Sequence, residues 1–247
     1  MNWQNVVTIA RNVVTIARKD LTVMMTRRSL RIALVVLPLG LALLFSQIIA
    51  RGNFPADQLP KTLDAFLFFF MIYTGALPAT IASYSLVGEK VERSLEPLLA
   101  TPATDGEILL GKGLAALVPP LLAMWAGMFV LMAYCDALTH GTLGYLYFPN
   151  WMAAVAVFGF APLLAIMAVA FSVLWSARVS DVRTAQQLAA LTAIPGAGIY
   201  IALLSGAFSL DLASLAVMCG AFAVVDTGLA FAARATFHRE EILTRWA

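Results

Sequence analysis

The sequence predicts an all-α integral membrane protein, in which six transmembrane helices follow an amphipathic helix at the cytoplasmic interface. The first observation behind this prediction is composition. The 247 residues are 61% hydrophobic and 12% charged, with a mean hydropathy of +0.86, whereas soluble domains are nearer half apolar and a quarter charged. The second observation is a series of six long apolar windows. Each is close to the about 20 residues that a helix needs to cross the hydrocarbon core.

The windows divide the chain into three regions. These are an N-terminal interfacial helix at 1–31, a membrane domain at 32–233 and a cytoplasmic tail at 234–247. The predicted spans lie at about 32–50, 65–87, 113–135, 151–177, 188–209 and 212–233. The first five contain no Asp, Glu, Lys or Arg, and the sixth contains only Asp226. Windows of this length favour helices over the roughly 10-residue alternating strands of membrane barrels.

Orientation follows from the basic residues, which concentrate on the cytoplasmic side of membrane proteins. Fourteen of the 16 lysines and arginines fall on the side that holds both termini, and only Arg51 and Lys61 fall on the other. We therefore expect a multi-pass protein of the cell membrane with both termini in the cytoplasm. The 1–31 segment lacks the apolar core and cleavage site of a signal peptide. The net charge of +2 gives no reason to expect a nucleic-acid partner.

The N-terminal region contains a tandem repeat, because NVVTIAR occurs twice without change over residues 5–18. On a helical projection, the Val, Ile and Ala side chains fill one arc, and Arg11 and Arg18 share one polar edge. The segment is too short and too polar to span a membrane. It is typical of a helix in the cytoplasmic interface, with its apolar face in the lipid. Packing on a partner protein is the alternative.

The loop at 88–112 separates the second and third windows and is dense in charge. It holds five acidic and three basic residues around a small apolar group of leucines, Leu95, Leu98 and Leu99. Asp105 is a plausible N-cap, so the second part of the loop is expected to be a helix that runs into the third span. A charged and apolar loop of this kind suits docking on a partner protein. From the residues alone, a solvated connector remains equally open.

The loop also carries a recognisable pattern. Its elements are Glu89–Lys90, Ser94–Leu95–Glu96, Leu98–Leu99, Thr101–Pro102 and Glu107–Ile108–Leu109–Leu110–Gly111–Lys112. This pattern resembles the cytoplasmic loop of type-2 ABC exporter permeases. Ser94 stands where Thr is commoner, and the basic residue usual shortly after Thr-Pro is missing. Weaker similarities to the same family lie in order along the chain, at the elbow helix (16–21), the second cytoplasmic loop (183–187) and the tail (237–243). The second NVVTIAR copy fits the elbow helix, which makes the first copy the additional one.

The resemblance implies the membrane subunit of an ABC exporter rather than an enzyme. Six spans are half of the usual dozen, so a second permease copy or a related permease is implied, together with a separate cytoplasmic ATPase that holds ATP and Mg²⁺. The loop residues implied to contact the ATPase are Glu89, Lys90, Arg93, Ser94, Leu95, Glu96, Leu98, Leu99, Thr101 and Pro102. This chain itself is expected to bind no cofactor. Residues 106–113 nearly match a phosphate-binding loop, but Gly113 replaces the Ser or Thr that binds Mg²⁺.

Polar residues and helix breakers within the windows are the remaining candidates. Asp226 could contact substrate or an ion, or could be a hydrogen-bonded or protonated structural acid. The other residues that could line a translocation path are Tyr73, Thr74, Thr80 and Tyr84. A hinge could form at Pro195, Gly196 and Gly198, although prolines in membrane helices commonly serve packing. Cys135 and Cys219 fit no metal or redox spacing and are interpreted as apolar residues, with a disulfide between them left open.

The main alternative to an ABC permease is an ATPase-independent secondary transporter or channel. That class would be expected to hold more ionisable residues in its spans than Asp226 alone. An intramembrane enzyme would need a group of catalytic residues at membrane depth, which the sequence does not suggest.

Overall fold

The structure is a computed structural model that describes residues 3–91, 103–176, 179, 181–205 and 211–236. The described residues form helices joined by short segments, without a strand among them. The helices are α1 (Trp3–Thr26), α2 (Arg28–Arg51), α3 (Leu59–Val91), α4 (Asp105–Leu143), α5 (Trp151–Ser176), α6 (Val182–Ala190), α7 (Ala193–Leu204) and α8 (Leu212–Thr236). The prediction of an all-helical membrane protein is confirmed.

Five of these helices are long and apolar enough to cross a membrane. They are α2, α3, α4, α5 and α8, and each contains one of the predicted apolar windows or most of it. Helices α3 and α4 are longer than their windows, with 33 and 39 residues, because each extends beyond its window at both ends. This count of five applies to the described residues only. The N-terminal helix α1 is amphipathic and is not among these five.

The predicted fifth span, 188–209, which contains the hinge candidates, is not one continuous helix in the described residues. Two helices meet at Leu191–Thr192, and α7 has only 12 residues, or about 18 Å of length. Pro195 explains the interruption, because proline has no N–H to donate to the carbonyl of Leu191 and its ring crowds that carbonyl. The N–H of Ile194 donates to the Leu191 carbonyl instead, at 3.1 Å. Residues 206–210 lie outside the described part.

Helix α3 is the centre of the bundle and packs on α4, α5, α6 and α7, while α8 packs on α5 and α2 on α4. The ring of Phe160 connects three helices, since it stacks on Phe68 of α3 at 5.6 Å and meets Phe222 of α8 at 5.1 Å. Helices α2 and α4 approach closely at Gly127. A Cβ at Gly127 would lie 2.7 Å from the Cβ of Pro38 and 2.8 Å from Phe70, so this crossing requires glycine.

Helix α5 contains a π-helical segment, Ala156–Phe160. In this register the N–H of Ala161 donates to the carbonyl of Ala156, five residues earlier. Pro162 follows and has no N–H, so the carbonyl of Val157 lacks the donor that this register would supply. The indole N–H of Trp125 on α4 donates to that carbonyl at 2.9 Å. A side chain of the neighbouring helix thus satisfies the carbonyl that the proline leaves free.

At the end of the bundle opposite α1, a buried carboxylate fixes the connection between α4 and α5. One carboxylate oxygen of Asp136 accepts hydrogen bonds from the backbone N–H groups of Tyr147 and Phe148, both at 3.0 Å. The Tyr147 hydroxyl donates to Asp64 of α3 at 2.7 Å. Burial raises the pKa of Tyr147, and the hydrogen bond to Asp64 raises it further, so the phenol remains a donor. These hydrogen bonds therefore connect the start of α3, the end of α4 and the segment that leads into α5.

Candidate functional site

The start of α4 is fixed by a capping box. The Thr104 hydroxyl accepts from the backbone N–H of Glu107 at 3.3 Å, and the Glu107 carboxylate accepts from the backbone N–H of Thr104 at 2.9 Å. The predicted helix that runs from the loop into the third apolar window is confirmed, since α4 continues without interruption to Leu143. The predicted N-cap at Asp105 is wrong by one residue. Thr104 is the cap, because its partner three residues later is a glutamate, and Asp105 lies in the first turn.

Helix α1 packs on this start of α4 at Gly111, where the space between the two helices is too small for a side chain on α4. A Cβ at Gly111 would lie 2.8 Å from the Cβ of Ile16 and 3.0 Å from the carbonyl of Val13. Val13 and Ile16 are buried in this contact. The segment 106–113, which nearly matches a phosphate-binding loop, is helical. Its Gly111 permits the close approach of α1 and α4.

Two polar contacts flank this crossing. The Asn12 side-chain amide donates to the Glu107 carboxylate at 3.2 Å. The Lys112 ammonium lies 3.2 Å from an Asp20 carboxylate oxygen, with the two side chains 2% and 12% exposed. Removing one partner of a buried ion pair leaves an uncompensated charge and costs about 3–5 kcal/mol. The position of α1 on α4 is therefore specified by charge as well as by shape.

The interior at this end of the bundle draws on four helices. Ile16 of α1 belongs to a buried apolar cluster with Ile81 of α3, Ile108 of α4 and Val173 of α5. We call this group the α1-end cluster. Ala103, which immediately precedes the Thr104 cap, also belongs to it. The two helix ends that border the predicted ATPase-contacting loop are thus packed together with α1.

The central part of the loop, residues 92–102, lies outside the described residues. Glu89 and Lys90 fall on the last helical turn of α3, which ends at Val91, and the structure does not describe their side chains. The predicted contact residues outside the described part are Arg93, Ser94, Leu95, Glu96, Leu98, Leu99, Thr101 and Pro102. The loop joins the end of α3 to the start of α4, which are neighbours in the bundle. The assignment of these side chains as ATPase contacts stays a prediction.

Asp226 is buried within this single chain. It is 7% exposed, and neither carboxylate oxygen has a hydrogen-bond partner among the described residues. It shares the buried face of α8 with Met218 and Phe222, and α8 packs mainly on α5. A charged carboxylate in the centre of a membrane costs about 3 kcal/mol on insertion scales. The surroundings of Asp226 thus favour a neutral carboxyl group or a cationic partner from outside the described residues.

The other predicted path residues all lie on α3 and do not share one environment. Tyr73 packs on Phe69, with ring centroids 5.4 Å apart. Thr74 is fully buried, and its hydroxyl has no partner among the described residues. Thr80 is exposed and donates to a carbonyl of its own helix at 2.8 Å. The side chain of Tyr84 is outside the described part. Asp226 belongs to α8, which packs mainly on α5.

The hinge candidates lie at the start of α7. Pro195 is in its first turn, one turn after the interruption at Leu191–Thr192. Gly196 faces Ile72 of α3, from which a Cβ would be 3.4 Å away, and Gly198 has open space around it. Both cysteines are free thiols, with Cys135 buried and Cys219 partly buried. Within the described ranges, no group of three or more His, Cys, Asp or Glu residues could hold a metal ion.

Comparison with protein-family models decides the family. The model described as ABC-2 family transporter protein matches residues 14–214, which is most of the chain. The chain belongs to the ABC-2 transporter family. The resemblance seen in the loop residues is therefore confirmed, and the chain is a membrane transport component. A search of the curated proteins found no match.

The ABC-2 match covers the crossing of α1 and α4 only in part. It begins at residue 14, within the second NVVTIAR copy, and leaves the first copy outside. It ends at residue 214, so most of α8, including Asp226, also lies beyond it. Three features of this ABC-2 chain were missed from the sequence. They are the Asp20–Lys112 ion pair, the Trp125–Val157 hydrogen bond and the Asp136 contact with the α4–α5 connection. Of these, only the Trp125–Val157 hydrogen bond had a signal in the sequence, because Pro162 lacks the N–H that the Val157 carbonyl would otherwise accept from.

Proposed function

We propose that this chain is the permease subunit of an ABC exporter. It would form the translocation path as a dimer, with a second copy or a related permease, and couple to separate cytoplasmic ATPase subunits through the 88–112 loop. The observation that carries the proposal is the ABC-2 family match over 14–214. ATP and Mg²⁺ would be bound by the ATPase. The apolar helices occupy most of the chain and leave little of it for a nucleotide-binding domain.

The proposed topology has six spans, with both termini in the cytoplasm of a cell membrane. The sixth span would come from α6 and α7 with the residues that follow, in addition to the five candidate spans. The basic residues support this orientation, because 14 of 16 fall on the side of α1 and the loop. In this arrangement α1 is the interfacial elbow helix of the permease.

The proposed coupling uses α4 as a continuous connection. ATP binding would close the ATPase dimer and displace the loop that precedes α4. Helix α4 has 39 residues, or about 58 Å of helix. Near its far end, Asp136 holds the backbone of Tyr147 and Phe148, so a displacement of the loop would reach the α4–α5 connection. Such a rigid-body change between two states is a common form of switching in proteins.

Co-purification with the ATPase tests the proposal. The chain is expressed with an ATPase subunit of the family from the same cell, and the complex is assayed for ATP hydrolysis in liposomes. The double variant Glu96→Arg with Leu99→Asp should abolish co-purification, because it reverses a charge and removes an apolar side chain of the loop. The matched control, Asp57→Arg with Gln58→Asp, makes comparable changes at the opposite end and should behave as wild type. Intact assembly of the loop variant would refute the coupling role.

A secondary transporter or channel is the second candidate, and the buried Asp226 favours it. Ion-selective flux by the purified chain alone, driven by an ion gradient and lost in Asp226→Asn, would support that alternative. Under the exporter proposal, the chain alone gives no such flux.

A further inference from the structure

The two NVVTIAR copies lie in one helix but have different surroundings. The second copy, 12–18, packs on α4 through Asn12, Val13 and Ile16. In the first copy, 5–11, the residues at the corresponding positions are mostly free. Asn5 and Ile9 are exposed and Val6 is only half-buried. The second copy therefore serves packing within the chain, whereas the first copy leaves the same side chains largely exposed in the described fold.

An exposed apolar stripe runs along α1 beside the face that packs on α4. Val7 and Val14 are 50% and 62% exposed. They are seven residues apart, close to two helical turns, so they lie on one side of the helix. Arg11 and Arg18 each follow one of these valines by four residues and are exposed at the edge of the stripe. The repeat thus presents the same pair of an apolar and a cationic side chain twice.

The depth of α1 follows from where it contacts α4. Its contacts are with Glu107, Gly111 and Lys112. These residues directly precede the apolar window that begins at residue 113, so α1 lies where the third span leaves the hydrocarbon core. An apolar stripe bordered by arginines at this depth is typical of a helix in the membrane interface. Arginines there are complementary in charge to the anionic lipids of the cytoplasmic leaflet.

We propose that the first NVVTIAR copy is a lipid-contact segment that binds anionic phospholipid headgroups through Arg11, with Val7 in the interface. Arg18 of the second copy contributes a second headgroup contact, while the rest of that copy holds α1 on α4. The proposal rests on the cytoplasmic orientation given under the proposed function. An arginine near an anionic surface strengthens membrane contact about fivefold, so loss of the first copy should weaken anionic lipid binding by about that factor.

The repeat permits an unusually clean deletion. Removal of residues 5–11 leaves Asn12–Arg18 and everything after them unchanged, and because the two copies are identical, Gln4 is again followed by the same seven residues. Asp20 and Lys112 are retained, so α1 should remain packed on α4. The affinity of the detergent-solubilised full chain for short-chain phosphatidylglycerol is measured by native mass spectrometry. We expect it to fall about fivefold on deletion and in Arg11→Gln. Lys61→Gln, which removes one positive charge at the opposite end, should have no effect.

Amide hydrogen exchange of the full chain in nanodiscs identifies what covers the first copy. Residues 3–11 should exchange more slowly in phosphatidylcholine mixed with phosphatidylglycerol than in phosphatidylcholine alone, and Arg11→Gln should remove the difference. Exchange of residues 12–20 in the deletion variant reports whether α1 is still packed. Unchanged phosphatidylglycerol affinity in both variants would overturn the proposal. Protection that appears only with an ATPase subunit, or rises with the number of chains per disc, would also overturn it. Failure of ATPase co-purification would leave these lipid measurements unaffected.

Discussion

Replacing Asp20 with asparagine tests whether the buried ion pair holds α1 on α4. The substitution removes the negative charge and leaves Lys112, which is 2% exposed, without this counter-charge at 3.2 Å. A buried charge that loses its partner costs about 3–5 kcal/mol. Because each 1.36 kcal/mol is a tenfold change, the population of chains with α1 detached should rise by a factor of about 100 or more.

The assay is amide hydrogen exchange of residues 12–20 in the detergent-solubilised chain, together with the midpoint of thermal unfolding. Asp20→Asn should accelerate exchange in that segment. Asp57→Asn, an exposed carboxylate at the opposite end, serves as the matched control and should leave exchange unchanged. The double variant Asp20→Leu with Lys112→Met removes both charges and should exchange much more slowly than Asp20→Asn. Equal exchange in Asp20→Asn and in the control would refute the assigned role of the ion pair.

Three further predictions follow from single contacts, each measured by thermal unfolding in detergent. Gly127→Leu should lower the midpoint strongly because the α2–α4 crossing has no space for a Cβ, while Gly141→Leu, in open space, should be tolerated. Trp125→Phe should cost about 1–3 kcal/mol by leaving a buried carbonyl without a donor, whereas Trp151→Phe, 83% exposed, should be nearly neutral. Asp226→Leu should raise the midpoint, since it removes a buried carboxyl group that has no hydrogen-bond partner among the described residues; a lower midpoint would contradict this.

The membrane-spanning helices could be predicted from the sequence because the cause is local. An apolar window of spanning length stays apolar whatever its neighbours are, so five windows appear within candidate spanning helices. Pro195 likewise indicated a break in the fifth window. The break lies at Leu191–Thr192, before the proline itself, because proline disturbs the carbonyl four residues earlier.

Contacts between distant segments could not be predicted from the sequence. Asp20 and Lys112 are separated by 92 positions, and nothing in either local sequence specifies the other as its partner. The repeat made the difficulty worse, because composition cannot decide which NVVTIAR copy packs on α4. The resemblance to the elbow helix favoured the second copy, and the burial of Val13 and Ile16 agrees. The capping box, by contrast, was readable at short range, since a glutamate stands three residues after Thr104 and an isoleucine stands three residues after Asp105.

The position of α1 gives the ion pair a consequence beyond stability. Helix α1 packs on the first two turns of α4, within the 88–112 loop and directly after residues 89–102, the part of it predicted to contact the ATPase. Any displacement of that loop along α4 must therefore either carry α1 with it or separate Asp20 from Lys112, which is unfavourable as long as either charge stays buried. Carrying α1 is the less costly outcome, because the stripe of Val7 and Val14 can slide in a fluid interface. The N-terminal helix and α4 would then move as one body during transport.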